Sequence, residues 1–146
     1  MAQISVAFRI LGLILFFGAA FLAGLSDARA LDVKTGVLRI DYPVLAPVSR
    51  YDRRPDDLGF AGAVLGNEDN QTPGSFLGHE FSLQTAATGP EGLEAQVRSL
   101  VDGGVKLLAV VGRGEDVLKV ADLAGPDVLV FNAGAGETDL RQQDCR

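Results

Sequence analysis

Residues suited to covalent chemistry are scarce in this chain. It holds one histidine, His79, and one cysteine, Cys145, far apart in sequence. A zinc site needs at least about three such ligands at short spacings, and a catalytic triad needs partners that a lone histidine lacks. His79 therefore reads as an ordinary turn or surface residue. The acidic pairs Asp56/Asp57 and Glu68/Asp69 have the types for acid–base work. Each falls where a helix end is expected, and there a dipole partner or solvated charge is the simpler reading. Asn67 to Gln71 lacks the D-x-D-x-D-G order of a calcium loop. No catalytic residue, metal ligand or cofactor is assigned, and the chain does not read as an enzyme.

Val105 to Asp116 is more informative. It runs from an apolar stretch through Gly112-Arg113-Gly114 into an acidic helix start. A short Val- and Leu-rich run without alternation has the pattern of a strand buried on both faces of a parallel sheet. The dinucleotide fingerprint would put a third glycine where Val117 stands and an acidic residue where Phe131-Asn132 stands, so a nucleotide-dependent enzyme is only a weak alternative. The turn does offer backbone amides at a helix start, which hold anions well.

In open α/β sheets ligands bind at the carboxyl ends of the strands. Three loops leave such ends: 44–54, 112–114 and 132–136. The residues they contribute to a binding rim are Tyr51, Gly112, Arg113, Gly114, Asn132, Ala133, Gly134 and Ala135, with Arg50, Arg53 and Arg54 nearby. Small residues let a ligand approach the backbone, and the arginines suit an anionic or zwitterionic one. Taken singly, each arginine reads first as solvated loop charge.

The elements that must position this rim follow from periodicity. Alternation predicts strands over 37–42 and 79–85, the second half-exposed and at a sheet edge. Continuous apolar runs predict strands over 105–111 and 127–131. A helix is expected from Pro55, with Leu58, Ala61, Gly62 and Leu65 on its apolar face, a polar exit at 67–70 and a stop at Pro73-Gly74. A second follows Gly89-Pro90 with Leu93, Val97, Leu100 and Val101, and a third covers 115–124 with Val117, Leu118, Ala121 and Ala124. The tail from Glu137 is unassigned. Strands alternating with helices imply an α/β fold: a mostly parallel sheet with helices on both faces. The fourth strand lacks a following helix, so the domain looks interrupted.

Residues 1–30 read as a signal peptide. Arg9 gives a weak positive start, Ile10 to Leu25 carries no charge, and Ala28-Arg29-Ala30 is an A-x-A cleavage site. The apolar run falls short of the ~20 residues that span a bilayer. Lipidation is rejected because Leu25 stands where the cysteine would be. The mature domain, 31–146, is expected in the periplasm. Removing Arg9, Asp27 and Arg29 takes the formal charge from −6 to −7. That acidity argues against a nucleic-acid partner. Cys145 cannot pair within the chain and points to an external partner or a free thiol.

Several stretches together resemble the type I periplasmic solute-binding proteins of ABC transporters, of the branched-chain amino acid kind. Ala46-Pro47-Val48-Ser49-Arg50-Tyr51 is similar to the family's Gly-Pro-rich first loop ending in an aromatic. The helix from Pro55 through Gly66-Asn67-Glu68-Asp69-Asn70, with Gly78 and strand 79–85, resembles its next segment. Strands 105–111 and 127–131 with their small-residue loops resemble its third and fourth strands. Residues 31–60 also resemble a subgroup encoded beside pyrroloquinoline-quinone-dependent alcohol dehydrogenase systems. The resemblance covers most of one lobe of a fold whose two lobes close over the ligand. It implies a small-molecule solute, an inner-membrane ABC permease as partner, and ligand contacts from the loops after the third and fourth strands. The family's Ser and Thr hydroxyls are missing from those loops here, which favours a solute other than an amino acid. The alternatives are a periplasmic accessory protein that binds no ligand, or a non-functional truncated copy.

Overall fold

The computed structural model of the chain describes residues 30–143. Residues 1–29, where the leader is expected, and Cys145 lie outside the described residues. Four strands, β1 (Asp32–Ile40), β2 (Glu80–Thr88), β3 (Leu107–Val111) and β4 (Leu129–Asn132), alternate with helices α1 (Ala61–Phe76), α2 (Leu93–Asp102) and α3 (Gly114–Ala124). A single helical turn, α4 (Asp139–Gln142), follows β4. The sheet order is β2-β1-β3-β4, and every pairing is parallel. The fold is α/β with helices on both faces of the sheet, and β2 is an edge strand.

The alternation of side chains along each strand creates two unlike faces. Leu38, Ile40, Leu108 and Val110 pack on one face against Leu93, Val97 and Leu100 of α2 and Val117, Val120 and Ala124 of α3. All ten are at most 7% exposed. Val120 thus takes a place in the α3 core face that was expected of Leu118, which is only half-buried. On the opposite face α1 lies over β2 and β1, near Val37, Phe81 and Leu83. It does not seal the far side of the sheet, where Leu129 and Phe131 stay 57% and 47% exposed. Strand 105–111 is therefore not buried on both faces: Leu108 and Val110 are buried, while Leu107, Ala109 and Val111 are half-buried. The apolar run fits a doubly covered strand, but the cover depends on where a distant helix lands.

Two elements depart most from expectation. β1 starts at Asp32 rather than 37 and ends before Tyr42. Its polar opening and Gly36 break the apolar pattern, yet the backbone still pairs from Asp32 with Glu80 and from Thr35 with Leu107. The first long helix starts at Ala61 rather than Pro55, and it continues through 67–70 and Pro73 to Phe76. Residues 55–60 are instead a turn pinned to β1. The Arg39 guanidinium donates to the carbonyls of Asp56 (2.8 Å) and Leu58 (2.9 Å) and stacks 4.7 Å from the Phe60 ring centre. Gly59 takes φ 85°, which other residues adopt only with strain. Asp56 and Asp57 are thus not in a helical first turn. Glu68, Asp69 and Asn70 are the exposed side of α1. Pro73 forfeits one hydrogen bond near the helix end, and Gln71 in that last stretch accepts the Phe81 N–H (2.9 Å), tying α1 to the edge strand.

Candidate functional site

In a parallel sheet all strands deliver their carboxyl ends to the same edge. There, the exits of β1, β3 and β4 border one open cavity of about 470 Å3. Tyr42, Pro43 and Val44 line it from the first exit, Gly112 and Arg113 from the second, Gly134 from the third, and Arg54, Pro55, Asp56 and Leu58 from the turn before α1. Its size falls within the range of small-molecule pockets.

Gly112 sets the geometry of the β3 exit. A Cβ there would stand 2.8 Å from Ile40 Cδ1 and 3.2 Å from Tyr42 Oη. Its absence lets the Tyr42 hydroxyl sit over the turn. That hydroxyl donates to Asp116 Oδ2 (2.5 Å) and accepts the Arg113 N–H (2.8 Å). The Arg113 guanidinium lies 4.1 Å from the centre of the Tyr42 ring, within cation–π range. Asp116 is 9% exposed, so the phenol provides a hydrogen-bond partner for a carboxylate largely removed from water. Burial first, then the hydrogen bond to Asp116, pushes the Tyr42 phenol above its ordinary 10.0.

The start of α3 is satisfied from within the chain. Its N-cap residue, Arg113, supplies no side-chain acceptor, and the first amides of a helix have no intrahelical partner. Glu137, from the loop after β4, fills this role: its Oε1 accepts the Gly114 N–H at 2.9 Å. That hydrogen bond is the main reason the Glu137 carboxyl is held below its ordinary 4.5. A carboxyl lowered on folding stabilises the fold above its unfolded pKa, and the contribution fades as pH falls through the folded value. Glu137→Gln should therefore flatten the acid limb of stability. Urea midpoints measured from about pH 6 to about pH 3 check this; parallel curves for the two proteins would show that the contact carries no proton linkage.

Of the rim residues expected from the sequence, Gly112, Arg113 and Gly134 line the cavity. Gly114 is adjacent, with its amide taken by Glu137. Asn132 turns inward on its own loop: Oδ1 accepts from Gly134 (3.1 Å) and Ala135 (2.7 Å), and Nδ2 donates to the Ala135 carbonyl (2.8 Å). The Ala133 amide donates to Val110 (2.9 Å). Asn132, Ala133 and Ala135 thus shape the loop without lining the cavity. Tyr51 also stands apart, 81% exposed and stacked with Arg50 at 4.9 Å. Arg39 is neutralised by Asp41 at 2.9 Å, whereas Arg54 and Arg113 form no ion pair within 4.0 Å among the described residues.

The sequence reading missed Tyr42, Asp116 and Glu137 as site residues. Tyr42 carried a usable signal, an aromatic at a strand exit directly before Pro43. Glu137 carried none, because only the folded chain brings it to α3. Among the described residues no cluster of His, Cys, Asp and Glu could hold a metal, and no helix is long and apolar enough to cross a membrane. No known protein family matches the chain, and no curated protein matches it.

Proposed function

We propose that this chain is the N-terminal lobe of a periplasmic solute-binding protein, exported through a leader cut after Ala30. It binds a small anionic or zwitterionic solute at the strand-end cavity, for delivery to an ABC permease beside a pyrroloquinoline-quinone-dependent alcohol dehydrogenase system. The observation that carries the binding reading is the meeting of three strand-end loops at one cavity, where Arg54 and Arg113 form no ion pair within 4.0 Å among the described residues. Binding uses the charge of Arg54 and Arg113, with no covalent step, metal or cofactor.

The test is a thermal-shift and calorimetric screen of small carboxylates, amino acids and phosphate. A ligand of the folded state raises the melting temperature by mass action. For a carboxylate that does so, Arg113→Ala should weaken binding about 10- to 100-fold, the effect of losing a charge-assisted hydrogen bond. The melting temperature of the free protein should change by only a few degrees. Unchanged affinity would remove Arg113 from the site, and a screen without a hit would count against binding. The open side of the sheet at Leu129 and Phe131 favours a second reading, an accessory protein that docks without a ligand; such a protein would gain no stability in the screen.

A further inference from the structure

The two edges of the sheet are built differently. β2 carries Glu80, Ser82 and Gln84, polar and charged side chains of the kind that keep an edge strand from pairing with other chains. β4 carries no charge, and neither does the whole run from Val128 to Gly136. In a parallel ladder successive residues bond to opposite sides. The Leu129 and Ala133 N–H groups donate to the carbonyls of Lys106 (2.8 Å) and Val110 (2.9 Å) on the β3 side, so Val130 and Asn132 direct their main-chain groups outward. No described strand pairs with that outer side. Leu129 and Phe131 project from the sheet face that α1 leaves open, 57% and 47% exposed. A bare main-chain edge thus lies beside two unpartnered apolar side chains.

We propose that β4 pairs antiparallel with β4 of a second copy of this chain, joining two four-stranded sheets into one of eight strands. With the two-fold axis at Val130, the outward N–H and C=O of Val130 bond those of Val130 of the second copy. On the open face Leu129 then stands opposite Phe131 of the second copy, twice over by symmetry. Such aliphatic–aromatic pairs across neighbouring strands stabilise a sheet. Charge favours this arrangement. Two copies of an acidic chain repel each other at long range, and the neutral run 128–136 lets them touch where neither presents a carboxylate. The antiparallel course also lays the Asp127 end of each strand beside loop 133–136 of the other copy, and the Gly136 carbonyl of that loop holds the Arg141 guanidinium (3.3 Å). Opposite charges therefore meet at both ends of the contact, whereas a parallel course would set Asp127 beside Asp127. The same edge is used by both copies, so the assembly closes at two. Pairing of four-residue strands buries less than the ~1,200 Å2 of a stable interface, so the dimer is weak and forms at high concentration. It leaves the strand-end cavity open and does not depend on the solute reading.

The experiment uses the chain from Leu31 to Arg146, which contains every described strand and helix, with a reductant present so that Cys145 cannot link copies. Sedimentation from about 10 µM to about 1 mM should show the mass rising from one copy toward two and no further. Leu129→Lys, at an exposed position, gives β4 the kind of charge that guards an edge and should weaken association at least about tenfold. Hydrogen exchange of the wild type, read amide by amide, locates the contact. Between the lowest and highest concentrations the Val130 and Asn132 amides should slow at least about threefold, while the Leu129 and Phe131 amides, on the β3 side, change less. A mass of one copy throughout would overturn the proposal, as would growth beyond two. Dimers indifferent to Leu129→Lys, or dimers that leave the Val130 and Asn132 amides unprotected, would place the contact elsewhere and overturn the pairing. The exchange arm needs no variant, so it decides the matter even where Leu129→Lys folds poorly.

Discussion

Leu108→Ala should lower the unfolding free energy by about 3 kcal/mol, whereas Leu107→Ala, the preceding residue on β3, should cost about 1 kcal/mol. The chemistry of the two changes is identical; the faces are not. Leu108 is fully buried among α2, α3 and β1, where deleting methyl groups forfeits their transfer energy and leaves a cavity that rigid neighbours fill poorly. Leu107 is half-buried on the face that α1 covers incompletely, so much of its side chain already meets water. Urea unfolding of both variants checks the contrast, with the dependence on urea expected to stay unchanged. Equal losses would mean that the two faces of β3 are equally covered in solution.

Tyr42→Phe should destabilise the protein by about 1–3 kcal/mol although it removes a single oxygen. The hydroxyl is shared: it donates to Asp116 and accepts from the Arg113 amide. Without it a carboxylate that is only 9% exposed loses this partner. The substitution should also change behaviour in alkali. A phenol raised on folding contributes stability below its unfolded pKa, here the ordinary 10.0, and loses it as pH rises through the raised folded value. The gap between wild type and Tyr42→Phe should thus narrow above about pH 10. A double-mutant cycle with Asp116→Ala gives an independent reading. If the hydrogen bond stabilises, the double variant loses less than the two singles together, by about 1 kcal/mol or more; strict additivity would show that the pair contributes nothing.

The fold was legible because it depends on periodicity. The alternation at 79–85 marks an edge strand, the apolar run at 105–111 marks an interior one, and the helical spacing of Leu93, Val97 and Leu100 marks the face that became core. What stayed hidden depends on long-range contacts. Arg39 turns 55–60 away from helix by binding the carbonyls of Asp56 and Leu58, and no local pattern announces a guanidinium arriving from another element. The site divided along the same line. Gly112 and Arg113 were legible as a strand-end turn before a helix. Tyr42, Asp116 and Glu137 became site residues only when the topology brought three loops together. Tyr51 looked like a rim aromatic, yet its loop carries it outward to stack with Arg50.

The wholly parallel register has a consequence in time. Asp32 must find Glu80, Thr35 must find Leu107, and Leu107 must find Leu129. None of these meetings is a hairpin closed by a tight turn, so each requires closure of a long loop before any pairing compensates for it. Domains dominated by such distant contacts fold on the order of milliseconds to seconds, rather than the microseconds open to helical bundles. During that delay the start of β1 has no partner, and its main-chain groups remain open to any other extended chain. The search of β1 for β2 therefore sets how long the open strands stay exposed to wrong pairing.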